Sequence, residues 1–113
     1  MANTQATIRI DDVLIEEIVR RVLSVANPDK IILFGSAAKG EMTRDSDIDL
    51  LVVESEIEDR DAEYVRIRRA LGNMGFPFDI VFITTEWFEA SKNVIGGIAY
   101  SANKHGRVVY DAA

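Results

Sequence analysis

Two runs of β-type apolar residues, Ile31-Ile32-Leu33-Phe34 and Leu50-Leu51-Val52-Val53, enclose a segment that opens with Gly35-Ser36 and closes with Asp47-Ile48-Asp49. Alternate residues of a strand point to the same face, so Asp47 and Asp49 project together while Ile48 turns the other way. Two carboxylates at that spacing repel and raise one another's pKa unless a cation lies between them. Hard cations with oxygen ligands, Mg²⁺ above all, suit such a pair and usually bring phosphate with them. At the other end of the segment, Gly35 lets the backbone approach a ligand closely, and a helix starting there aims free N–H groups at an anion. Ser36 adds a hydroxyl donor. Each motif alone is weak and reads as a surface turn or an acidic strand end. Joined at this spacing between two apolar strands, they specify a site for a nucleoside triphosphate.

Charge and composition narrow the partners. The 113 residues carry a formal net charge of −6, which suits neither duplex nor single-stranded nucleic acid, whose binders need a basic stripe. Nucleic acid is therefore not expected as a direct substrate. There is no cysteine, so disulfides and thiolate metal sites are excluded. No apolar run is long enough to span a bilayer and no charged-then-apolar leader opens the chain, so a soluble cytoplasmic protein is expected. The hydrophobic share of 48% suits a single domain over residues 1–113.

Along the chain, Ile8-Arg9-Ile10 reads as a minor strand or an arm. Asp11 or Asp12 caps a first helix with Leu14, Ile18, Val22 and Val25 on one stripe, widened by Ile15, Val19 and Leu23. Asn27-Pro28-Asp29 stops it. Strands are expected at Lys30–Phe34, Asp47–Glu54 and Phe78–Thr84, with a short helix at Ser36–Lys39 broken by Gly40. The second strand is apolar on both faces and so should be central. A helix over about Arg60–Asn73 should bury Tyr64, Ile67, Leu71 and Met74, leaving Arg66, Arg68 and Arg69 as a solvated face or a surface for an acidic partner. Asp79 is the only charge in Phe78–Ile83, a costly position unless the acid is paired, metal-bound or at an exposed strand end. Thr84 or Thr85 caps the next helix, where Trp87 and Phe88 read as core, with base stacking by an aromatic as the sharper alternative. A last helix, Ile98–Lys104, ends at Gly106, and Arg107–Tyr110 forms a final strand. His105 sits where it would meet the helix's last carbonyls.

The full motif, with Lys39-Gly40 after Gly35-Ser36 and Ser46 before Asp47, resembles the signature of the DNA polymerase beta-like nucleotidyltransferase superfamily, and within it the minimal nucleotidyltransferase branch. The similarity runs from about Asp12 to Tyr110. It implies the nucleotidyltransferase fold, an α/β (α+β) domain with a mixed central sheet of about four strands flanked by helices. It also implies a third carboxylate from the strand beside Asp47-x-Asp49, and Asp79 is the acid that fits. By the same resemblance Asp47, Asp49 and Asp79 are the catalytic, metal-holding residues for two Mg²⁺ ions, and Gly35 and Ser36 bind the β- and γ-phosphates of ATP. Lys39 either adds charge near the departing pyrophosphate or faces water. Cleavage between the α- and β-phosphates also comes from the resemblance; the residues alone would equally permit γ-phosphate transfer.

Minimal members of the family pair with a small helical HEPN-domain protein, transfer AMP to one of its tyrosines, and so act as antitoxins. This implies a hetero-oligomer, or a homo-oligomer, with a protein as acceptor. Two rivals stand beside that expectation. One is a binding module that neutralises its partner by contact alone. The other is a small-molecule nucleotidyltransferase of the aminoglycoside type, which would need an acceptor cleft.

Overall fold

The computed structural model describes residues 10–43 and 45–113. Of the expected Ile8-Arg9-Ile10 arm, only Ile10 falls within the described residues, and it packs against the core. Helix α1 (Asp12–Leu23) is capped by Asp11, whose Oδ1 accepts from the Leu14 amide at 2.8 Å. It buries Ile15, Ile18 and Val22. Val25, expected on the same stripe, lies beyond the helix end and is exposed. The chain then forms β1 (Lys30–Phe34), α2 (Ser36–Lys39), β2 (Ile48–Glu54), α3 (Arg60–Leu71), β3 (Phe78–Thr84), α4 (Thr85–Ser91), α5 (Ile98–His105) and β4 (Arg107–Asp111).

The four strands make one mixed sheet in the order β3-β2-β1-β4. β1 runs antiparallel to both β2 and β4, while β2 and β3 are parallel and joined through α3. A parallel pair needs such a crossover because its strands begin at the same end. Both faces of the sheet are covered. Ile31, Leu33, Ile48, Leu50 and Val52 pack with α1 and α3, and Ile32, Leu51 and Val53 pack with Phe88, Ala99 and Ala102 of α4 and α5. The period-two split of β2 across these two cores makes it the central strand that its apolar run predicts.

Three expectations about packing are corrected. On α3 the buried stripe is Glu63, Ile67 and Leu71, and Tyr64 is 39% exposed. Residues four apart share a helix face, so once Ile67 and Leu71 face the sheet, position 63 follows and position 64 turns away. Glu63 tolerates this place because Arg66 pairs with it. Trp87, expected in the core, is 63% exposed, because the buried position of α4 falls on Phe88. The arginines of α3 are not simply a solvated face: Arg68 donates to the Phe78 carbonyl at 3.1 Å, tying the helix to β3. Gly106 ends α5 where the chain turns into β4, packed so closely that a Cβ there would strike the Ala102 carbonyl oxygen and the Ile32 side chain.

Candidate active site

The site is built where β1 ends and where β2 and β3 begin. Phe34 closes β1 opposite Asp49 of β2. Gly35 follows at φ 68°, ψ −148°, a conformation essentially restricted to glycine. A Cβ at this position would overlap Oδ2 of Asp49. Two physical requirements, a glycine-only backbone and the space for a carboxylate, thus fall on one residue. Gly35 is the N-cap of α2 but offers no side-chain cap, so the first amides of that helix have no partner within it. Ala37 is buried and seats the helix on the core, and Gly40 closes it in the left-handed region. The return loop is pinned by Met42, wholly buried, and by the Thr43 amide bonded to Ser46 Oγ at 2.9 Å.

Asp47 stands exposed just ahead of β2, Asp49 is partly buried as its second residue, and Asp79 is exposed as the second residue of β3. Asp49 and Asp79 are register partners across the parallel pair, and the Ile48 amide bond to the Pro77 carbonyl (2.9 Å) carries the pairing to the strand ends. Neighbouring strands are spaced by about 4.8 Å. Ile48, Leu50, Phe78 and Ile80 face the α1–α3 core, so the intervening acids share the opposite face. Burial holds the Asp49 carboxyl above the usual carboxylate range, and the charges of Asp79 and then Asp47 push it further up.

The structure therefore brings together Gly35, Asp47, Asp49 and Asp79, with Ser36 next in the bend. It does not bring Lys39 to them. Lys39 is exposed and lines a separate groove of about 380 Å³ with Ile10, Asp12 and Arg107. His105 is exposed in the last turn of α5, and exposed Trp87 belongs to α4, which begins at the opposite end of β3.

The carboxylates present an all-oxygen donor set of mutually repelling charges, which fits a hard divalent cation. Among the described residues no three ligand-type side chains form a closed metal cluster. That is compatible with Mg²⁺, which binds through one or two carboxylates and completes its shell with water and phosphate oxygens. A second titratable group escaped the sequence reading. Glu54, at the far end of β2, is 5% exposed and lies beside Glu63. Its only signal in the sequence is a charge closing an otherwise apolar run.

A family model described as a nucleotidyltransferase domain matches residues 13–105. No curated protein matches the sequence. Among solved structures, a crystal structure of a toxin–antitoxin with AMP-PNP is similar at a TM-score of 0.67 and 19% identity, over 86% of this chain and 73% of that one. A mutant form of the toxin–antitoxin MntA-HpeT is similar at 0.67 and 17% identity, with the same coverage of 86% and 73%.

Proposed function

The chain belongs to the nucleotidyltransferase-domain family, and on that premise we propose that it transfers AMP from ATP to a hydroxyl of a partner protein, a tyrosine of a HEPN-domain toxin, and thereby acts as an antitoxin. The observation that carries this reading is the pairing of Asp49 with Asp79 beside a bend whose Gly35 leaves room only for the Asp49 carboxylate. Similarity of fold to toxin–antitoxin structures, one of them with AMP-PNP, supports the partner and the nucleotide.

Asp47 and Asp49, with Asp79, are the residues that would hold Mg²⁺. Bound there, the metal would neutralise phosphate charge and lower the pKa of the attacking hydroxyl. Gly35 and Ser36 bind the β- and γ-phosphates through the open amides of α2 and the Ser36 hydroxyl. Asp79, the more exposed partner of the strand pair, faces the acceptor and takes its hydroxyl proton. The acceptor oxygen bonds to the α-phosphorus, the α–β bond breaks, and pyrophosphate leaves. Lys39 has the weaker claim, as a charge near the departing pyrophosphate.

Exposed apolar side chains support a protein as acceptor. Trp87 (63%), Val94 (61%) and Ile95 (81%) stand out from α4 and the α4–α5 loop, where a partner would cover them. The same surface favours the rival in which contact alone neutralises the toxin. Incubation with α-labelled ATP, Mg²⁺ and the product of the adjacent reading frame separates the two. Transfer predicts label on the partner that disappears with Asp47→Asn or Asp49→Asn. Neutralisation that survives both substitutions, without label, establishes the contact module instead.

A further inference from the structure

At the end of the sheet away from Asp49, β2 finishes in a groove of about 870 Å³. Five residues of extended strand, roughly 16 Å, separate it from the aspartates. Four acids line this groove: Asp29, Glu54, Glu56 and Glu63. Among the described residues Arg66 is the one basic residue in its lining, and it is paired with Glu63. Glu54 is 5% exposed, its Oε1 has no hydrogen-bond partner among the described residues, and Glu63 lies beside it. An unpartnered oxygen this deeply buried is unfavourable until a donor reaches it. Nothing in the nucleotidyltransferase reading uses it. The groove also has aliphatic lining, from Leu23 and Val25, both 37% exposed, and from Pro28.

We propose that this groove binds a protonated aliphatic amine, with the ammonium group held between Glu54 and Glu63 and the alkyl stem along Leu23 and Val25. An ammonium supplies the donor that Oε1 lacks, and a stem of methylenes matches the aliphatic lining as lysine side chains do elsewhere. A metal ion is the poorer occupant, since Arg66 already pairs with Glu63 and aliphatic side chains form part of the lining. Without a ligand, Glu54 keeps its proton at pH 7. Burial, then the Glu63 carboxylate, pushes Glu54 up to about 8, opposed by Arg66 and reinforced by Asp29. The ammonium takes the place of that proton, so the step balances as one amine bound and one proton released to solvent. The proposal is independent of the transferase reading.

The test titrates the full chain at pH 7 with 1,5-diaminopentane and, separately, with an acetylated, amidated lysine peptide, in two buffers of different ionisation enthalpy. Saturable binding with release of about one proton is expected for at least one of the two. Binding of the diamine alone assigns a free amine, and binding of the peptide alone assigns a lysine side chain of a protein. Glu54→Gln, which mimics the neutral acid, should fold normally, weaken binding at least tenfold and abolish proton release, while leaving nucleotide affinity unchanged. Failure of both amines to bind, equal binding of uncharged 1-pentanol, or unchanged binding by Glu54→Gln would overturn the proposal.

Discussion

Gly35 is the residue with the least latitude. Its backbone is in a region closed to side chains, and a methyl group would enter the space of Asp49 Oδ2. Gly35→Ala should destabilise the protein by about 1–3 kcal/mol and abolish nucleotide binding, measured by thermal denaturation and by calorimetric titration with ATP and Mg²⁺. Asp49 has the opposite balance. Its charge is disfavoured by burial, Asp79 and Asp47, so Asp49→Asn should leave the metal-free protein at least as heat-stable as the parent while lowering turnover at least a hundredfold; a marked fall in Tm contradicts this. Glu54 sets a pH dependence. The folded chain holds its proton up to about pH 8, whereas an unperturbed Glu loses its proton near 4.5. The unfolded state therefore binds fewer protons between those values, and stability falls as pH rises through that window. Glu17, pulled down to about 2 by Arg20 and Arg21, acts only at more acid pH. Denaturation at pH 5 and pH 8 should show the decline, and Glu54→Gln should flatten it by removing one of its sources.

The elements were legible wherever a local signal sets them. The strands at Lys30–Phe34 and Phe78–Thr84 and the four-residue helix at Ser36–Lys39 match their expected bounds, because glycines and apolar runs punctuate them. Of the expected caps, Asp11 and Thr84 act through their own side chains. What failed was helix rotation. Tyr64 and Trp87 are apolar by composition, yet the faces of α3 and α4 are decided by how Ile67, Leu71 and Phe88 meet the sheet. Glu63 and Glu54 were invisible for the related reason that burial of a charge depends on a partner distant in sequence. The Asp47-x-Asp49 motif was readable because strand periodicity alone aligns it, whereas its partnership with Asp79 needed a register that only the assembled sheet supplies. At this scale the junction of α5 and β4 is also closely packed. Gly106→Ala would push against Ala102 and Ile32 and should cost about 1–3 kcal/mol, read by chemical denaturation.

Across the whole molecule, the acids sit at one end of the sheet, the 870 Å³ groove at the other, and the exposed apolar residues of the α4–α5 region apart from both cores. Association and chemistry should therefore separate by mutation. If the proposed partner protein docks here, Trp87→Glu combined with Ile95→Glu should weaken that complex at least tenfold, as expected when a central aromatic is lost. The stability of the free chain should move by only about 0.5 kcal/mol, the usual range for surface substitutions. Pull-down and denaturation of the same variant check both halves. The parallel pairing of β2 and β3 has one more consequence. Asp49 and Asp79 are separated by a helix and two loops, and no local turn brings them together. Their mutual repulsion is absent from the extended chain and arises only as the crossover closes, a non-local step slowed by the entropy of closing the loop. The cation site proposed for these acids would thus exist only once β3 has docked against β2.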